Sequence, residues 1–272
     1  SFNESFSKGC LSDTQKTSIL SLMFKKTDRT QLKYYRPISL STTDYKILAF
    51  ILSNRLHKVI SKLISFDQTG CIKGRFMGTN VRLVNDIIEF ADRMNMGGAI
   101  LFLDFEKAFD SVEWNFMWKT LCSFNFGDDF IKWIKVLYRC PQIFVKNNGW
   151  LSQNFEMSRG IRQGCPISAL IFILSVEVLA INIRQSPNIR GFPIPSNGEN
   201  KEIKISQYVD DTNLYFKFIN DIPAAITCLK KFERVSGLKL NLEKTEGILL
   251  GIDKGNPTQQ FGIKFTNDAV RC

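Results

Sequence analysis

The sequence predicts an α+β fold with a largely antiparallel sheet, and three observations predict it. The continuous apolar run Ala99-Ile-Leu-Phe-Leu-Asp-Phe105 has the makeup of a buried strand ending in a carboxylate. Between Glu202 and Phe218, apolar and polar residues alternate on both sides of Asp210-Asp211, the pattern of a hairpin. Amphipathic stretches with helical spacing lie around these segments. Strand, helices, hairpin, helix and strand in that order suggest helices flanking an antiparallel sheet.

Each element follows from its pattern. Ile47, Leu48, Ile51, Leu52, Leu56, Val59, Ile60 and Leu63 recur at helical spacing, so Ser41 to Ile64 reads as one helix. Gln68 to Gly78 is a loop of glycines and basic residues, and Thr79 to Met94 is a second helix, stopped by Gly97-Gly98. Helical patterns cover Val112–Asn125 and Asp129–Tyr138. Short strands at Ile143–Val145 and Asn154–Met157 flank the Asn147-Asn148-Gly149 turn. Ser168 to Arg184 is a strongly apolar helix after a Gly-Cys-Pro turn. Gly191–Asn200, with two prolines and Asn197-Gly198, reads as a linker. Ile222–Ser236 is a helix with Gly237 as its stop, and Leu238–Leu250 returns as extended chain.

Composition sets bounds on function. With 272 residues and 44% hydrophobic content, the chain can build a large core and suits two subdomains. The formal charge of +10 suits a polyanionic partner, since each neutralised phosphate releases counterions. The 7 cysteines are scattered without a Cys-x-x-Cys pair, which argues against a disulfide framework or zinc site and fits a reducing, intracellular setting. His57, the only histidine, sits in a helical pattern and reads as structural, which disfavours histidine-based catalysis. No uninterrupted apolar run reaches membrane-spanning length, and no secretory leader is evident, so neither membrane insertion nor secretion is expected. The chain starts at Ser1 and stops at Cys272, as a piece of a longer protein would.

Asp104 ends one predicted strand and Asp210-Asp211 tips a hairpin. If those strands are neighbours, the carboxylates converge and need a cation to offset their repulsion. Hard oxygen donors on a rigid sheet suit Mg²⁺, with Mn²⁺ as a substitute. Two such ions can activate a 3′-hydroxyl and stabilise leaving pyrophosphate in an in-line displacement. Taken alone, an Asp-Asp pair is also an ordinary turn dipeptide.

The motifs in order resemble those of reverse transcriptases, most closely the non-LTR (LINE-type) retrotransposon group. Tyr35-Arg-Pro-Ile-Ser-Leu40 with Thr43-Asp-Tyr-Lys-Ile47 resembles that group's fingers motif, and Gln68-Thr-Gly-Cys-Ile-Lys-Gly-Arg75 its next block. Leu103-Asp-Phe-Glu-Lys-Ala-Phe-Asp110 resembles motif A, and Gly160-Ile-Arg-Gln-Gly-Cys-Pro-Ile-Ser168 motif B. Tyr208-Val-Asp-Asp211 resembles motif C, and Gly237-Leu-Lys-Leu-Asn-Leu-Glu-Lys244 motif D. Two details depart from the group: Tyr-Val stands where Phe-Ala is more usual in motif C, and Ala169 where a proline usually follows the motif-B serine.

The resemblance implies a right-hand polymerase fold of fingers and palm, with an antiparallel palm sheet flanked by helices and the thumb largely absent. It implies an N-terminal extension over 1–15, mainly fingers over 16–98 and mainly palm over 99–250. Residues 251–272 would lead toward the thumb. It implies an RNA-directed DNA polymerase acting on an RNA template, a DNA primer and dNTPs. Asp104 and Asp210 would be the principal metal ligands, Asp211 a second carboxylate, and the Phe105 carbonyl a further metal donor. Lys244 would protonate pyrophosphate. Arg36, with Lys25 or Lys26, would meet the triphosphate. Gln163 and Gly164 would lie against nucleotide and template. Phe109, in its Ala108-Phe109 context, would exclude a 2′-hydroxyl. An endonuclease and a thumb would belong to the longer parent polyprotein, and the location would be nucleus or cytoplasm. The alternative is a catalytically inactive retroelement relic or a maturase-like RNA-binding protein. A polymerase of another class is disfavoured by Phe109 and by the wording of motif B.

Overall fold

The computed structural model describes residues 2–25, 27–196, 199–255 and 259–266. They fall into two compact units, each built from separate chain segments. Unit one is Ser1–Ile60 with Phe109–Phe172, and unit two is Ser61–Ala108 with Ile173–Cys272.

In chain order, unit one begins with α1 (Phe2–Lys8), α2 (Asp13–Lys16), β1 (Thr17–Phe24), β2 (Tyr35–Ser41) and α3 (Thr43–His57). The short α4 (Ile60–Leu63) leads into α5 (Gly78–Met94) and β3 (Gly98–Leu103) of unit two. At α6 (Ala108–Ser111) the chain returns to unit one for α7 (Trp114–Ser123), α8 (Asp128–Tyr138), β4 (Gln142–Asn147) and β5 (Trp150–Leu151). The long α9 (Ser168–Gln185) carries it back to β6 (Phe192–Ser196), β7 (Glu199–Ile203), β8 (Ile205–Tyr208) and β9 (Asp211–Phe216). Finally come α10 (Ile222–Ser236), β10 (Glu246–Leu250), β11 (Gln259–Gln260) and β12 (Ile263–Thr266).

Unit one holds a four-stranded sheet in the order β2-β1-β4-β5. β1 pairs antiparallel with β2 and parallel with β4. The predicted helix from Ser41 to Ile64 is instead two: α3 ends at His57, capped by Lys58, whose N–H donates to Arg55 O at 3.3 Å, and α4 restarts at Ile60. Tyr45, Leu48, Ala49, Leu52 and Leu56 form the buried stripe of α3. β5 also lies earlier than the predicted Asn154–Met157 strand, where only an isolated bridge joins Phe155 to Ile143.

Unit two is organised by a six-stranded sheet in the order β11-β12-β10-β3-β9-β8. Its neighbours are antiparallel except β10 and β12, which run parallel. β3 lies between β10 and β9, which explains its unbroken apolar run: Ala99, Ile100 and Leu101 are all fully buried. Val84, Ile87 and Ala91 of α5 pack onto Ile100, Tyr215, Ile248 and Leu250 of the sheet. Each fully buried Val, Ile or Leu among them contributes about 1.5–3 kcal/mol. α10 ends at Gly237, whose φ of 78° suits glycine and whose N–H donates to Glu233 O at 2.9 Å.

Two further expectations are corrected. The segment read as a linker supplies β6, which pairs with β7 from Phe192↔Ile203 to Ser196↔Glu199. Asn197-Gly198 itself lies outside the described residues. Consequently β7 belongs to that separate ribbon, and the hairpin that carries Asp210-Asp211 starts only at Ile205. α9 is long and apolar enough to cross a membrane, but it is mostly buried, as a core helix is.

Asp221, just ahead of α10, is buried and accepts three bonds from Arg190: from the backbone N–H and Nε at 2.9 Å each, and from Nη2 at 2.6 Å. The Arg190 guanidinium holds this carboxyl below its ordinary value of 3.8. A lowered carboxyl stabilises the fold above its unfolded value, and the gain disappears as pH falls through the folded value. Asp221→Asn therefore lowers Tm at neutral pH, and the deficit shrinks as pH drops below 3.8. Thermal melts across that range check this; a deficit independent of pH would refute it.

Candidate active site

The residues singled out from sequence fall into one set on each unit. On unit two, β3 and β9 pair from Ala99↔Phe216 to Leu103↔Thr212. One more step along this register sets Asp104 opposite Asp211. β8 and β9 close at Tyr208↔Asp211, leaving Val209 and Asp210 as the turn. The adjacency of strands on which convergence of the three carboxylates depends is therefore present.

Asp104 is tied down by the chain ahead of β10. Its N–H donates to Thr245 Oγ1 at 3.4 Å, and its carbonyl accepts from Asn241 N–H at 2.8 Å. Glu106 N–H donates to Lys239 O at 2.9 Å, and Phe105 forms a bridge with Leu240. Residues 241–245 are thus a turn and not the predicted continuous extended segment. Thr245 Oγ1 donates to Asn241 O at 2.8 Å, and Lys244 N–H to Asn241 Oδ1 at 3.3 Å. Sequence reading missed Asn241 and Thr245. Their signal was an Asn and a Thr spaced to bond local backbone, which competes with a strand. Lys244 is exposed on this turn, while Phe105 and Ala108 are buried.

On unit one, Arg36 pairs with Met23 across β1 and β2, and Lys25 N–H extends the ladder to Tyr34 O at 2.8 Å. Because cross-strand partners share a face and side chains alternate, Arg36 and Lys25 project from the same face of this hairpin. Both are exposed. Lys26 lies outside the described residues. Gln163 O accepts from Ser39 N–H at 2.8 Å, which seats this loop against β2. Gly164, at φ 97°, passes so close that an added Cβ would stand 3.0 Å from Ser39 O.

Phe109 is half-buried and stacks on Phe172 with centroids 4.4 Å apart. Its carbonyl accepts from Ile161 N–H at 2.6 Å, and Gln163 Nε2 donates to Asp110 Oδ1 at 3.1 Å. The chain around Phe109 and the loop around Gln163 therefore fix each other. Behind them, buried Arg162 lies over the Tyr45 ring at 4.6 Å, and burial pushes the Tyr45 phenol well above its ordinary value.

Among the described residues, no three His, Cys, Asp or Glu side chains form a metal cage. Carboxylates at two strand ends nevertheless fit a hard divalent cation that fills its remaining positions with water and phosphate oxygens.

A family profile described as "Reverse transcriptase (RNA-dependent DNA polymerase)" matches residues 24–266. The chain is 34% identical over 248 residues to the "Transposon TX1 uncharacterized 149 kDa protein" of Xenopus laevis, covering 91% of this chain and 19% of that protein. It is 26% identical over 231 residues to the Drosophila melanogaster "Retrovirus-related Pol polyprotein from type-2 retrotransposable element R2DM", covering 84% and 20%. The chain thus spans about a fifth of the length of these relatives. Among solved structures, telomerase from Candida tropicalis in complex with a fragment of telomeric RNA superposes with a TM-score of 0.65 at 10% identity, covering 97% of this chain and 47% of that one. Telomerase from Candida albicans gives 0.58 at 12%, covering 93% and 45%. At such identities the likeness is one of fold.

Gly160 packs directly against the backbone of Asp110. Its φ is 87°, and an added Cβ would stand 2.8 Å from Asp110 O. Gly160→Ala should therefore cost about 1–3 kcal/mol of stability. Denaturant unfolding measures it, and an unchanged midpoint would contradict the packing described.

Proposed function

Because the chain belongs to the reverse transcriptase family, and to its non-LTR (LINE-type) retrotransposon branch, we propose that it copies an RNA template by adding dNTPs to a primer 3′-hydroxyl. The observation that carries this reading is the strand register that sets Asp104 beside the Asp210-Asp211 turn. The family uses divalent metal ions. In this reading they are two Mg²⁺ ions, replaceable by Mn²⁺. When bound, they supply charge stabilisation to the attacking and leaving oxygens of an in-line displacement.

The chain's own residues then divide the work. Asp104 and Asp210 hold the ions, with Asp211 a second carboxylate beside them and the Phe105 carbonyl a further donor. Arg36 and Lys25 share an exposed face whose positive charge complements a triphosphate, and the Arg36 guanidinium can fork onto it. Gln163 and Gly164 give the base and sugar a close backbone approach, and Gln163 is bonded to Asp110, which follows Ala108 and Phe109 in sequence. The Phe109 ring, held by Phe172, bars a 2′-hydroxyl. Lys244, exposed on its turn, supplies a proton to pyrophosphate. In this reading residues 16–98 are mainly fingers and residues 99–250 mainly palm. The excess of 36 Lys+Arg over 26 Asp+Glu favours a nucleic-acid duplex held mainly through phosphates. An endonuclease and a thumb belong to the longer parent polyprotein in this reading, and the location is nucleus or cytoplasm.

Primer extension on an RNA template with Mg²⁺ tests the proposal. Asp210→Asn should reduce dNTP incorporation by on the order of 10²–10³-fold, the scale of losing one electrostatic stabiliser. A parent chain that binds RNA but incorporates nothing would favour the RNA-binding alternative, and an equally active mutant would remove Asp210 from the site. In the same assay Phe109→Val should admit ribonucleotides; unchanged sugar selectivity would take Phe109 out of the nucleotide contacts.

A further inference from the structure

The block from Gln68 to Arg75 has no part in the chemistry above, yet it bonds directly to the turn that carries Asp210. Val209 occupies that turn with a φ of 57°, a region that β-branched residues avoid. Something must hold it there. Gln68 is fully buried, and its side chain addresses both polar backbone groups of Val209. Oε1 accepts from Val209 N–H at 2.9 Å, and Nε2 donates to Val209 O at 3.2 Å. The same Oε1 accepts from Gly70 N–H at 2.8 Å, which fixes the carboxamide's own orientation.

The rest of the block supports this grip. Gln207 O accepts from Thr69 N–H at 2.9 Å and from Asn80 Nδ2 at 2.8 Å, while Gln207 N–H donates to Asp67 O at 2.7 Å. Gly70 lets the loop lie against the turn: a Cβ there would stand 2.5 Å from Val209 Cγ2 and 2.6 Å from Val209 N. Arg75 binds the loop from behind. Its guanidinium donates to the carbonyls of Ser65, Ile64 (2.8 Å), Gln68 (2.6 Å) and Ser61 (3.3 Å). That charge is committed to backbone oxygens of the loop that presents Gln68.

We infer that Gln68 is a positioning residue for Asp210: its carboxamide holds Val209 in the left-handed conformation that sets the direction of the neighbouring carboxylate. The inference rests on the polymerase reading of Asp210. It also implies that glycine at position 209, free to adopt this conformation, needs the clamp less.

The test uses this chain with Gln68→Met, which keeps the length and removes both bonds, and Gln68→Glu, which keeps the acceptor and removes the donor. In Gln68→Met, kcat for primer extension should fall on the order of 10–100-fold, the scale of a small misplacement, with the dNTP KM changed less than about 3-fold. Gln68→Glu should show a smaller loss in kcat. Adding Val209→Gly to Gln68→Met should restore kcat at least about 5-fold, whereas a purely structural glutamine would not be rescued. Hydrogen exchange gives a readout that needs no turnover: Val209 N–H should lose on the order of 10-fold protection in Gln68→Met. Should Gln68→Met fail to fold, Gln68→Glu and its Val209→Gly double variant decide instead, by the same measurements. Unchanged kcat, absence of rescue, or unchanged protection in the folded variant overturns the clamp while leaving the polymerase reading intact. A parent chain that does not extend a primer overturns both.

Discussion

The pairing of β3 with β9 is the constraint on which the rest of unit two depends. It places Ile100 against Tyr215 and Leu101 against Leu214, so the faces of both strands are chosen together. A slip of one residue would turn one strand over relative to the other and take Ile100 or Tyr215 out of the cluster they form with Val84 and Ile87. That apolar cluster fixes the register, and the register fixes how far along β3 the carboxylate of Asp104 stands relative to the hairpin turn. Hydrophobic packing on α5 thereby decides the placement of charged groups that make no contribution to the packing themselves.

Around the candidate site, backbone conformation is held by neighbours and not by local preference. Val209 and Lys107 occupy positive φ without being glycine, and Gly160 and Gly164 occupy it beside backbone that leaves no room for a Cβ. Such positions persist when surrounding bonds over-determine them. On unit one that role falls to the ties among Ser39, Phe109, Asp110, Ile161 and Gln163. On unit two it falls to the Gln68 loop and to the turn from Asn241 to Thr245.

What could be read from sequence was what local chemistry dictates. α10 appears at its predicted bounds because its apolar spacing and Gly237 both mark them. β3 appears because a strand buried on both faces needs no alternation. The β6–β7 ribbon was hidden by Pro193 and Pro195, which ordinarily argue against a strand. They are tolerated because β6 has a single partner and its other edge asks for no donors. The parallel pairing of β1 with β4 joins segments too distant for any local pattern to reveal. Arg36, Asp104 and Asp210 were singled out through motifs. The bonds that orient them were not, since Gln68 and Val209 are separated by 141 positions and nothing in either neighbourhood announces the other.

The interleaving of the two units has a consequence for how the chain comes to be folded. β3 is complete at Leu103, but its partners β9 and β10 begin only at Asp211 and Glu246. A chain emerging from the ribosome at about 5–20 residues per second would carry that apolar strand with both edges unpaired for several seconds or longer. Neither unit can close from one contiguous stretch, because each waits for a segment made after part of the other. Nascent β3 is therefore the place where a chaperone would be needed most, and where premature association between copies would begin.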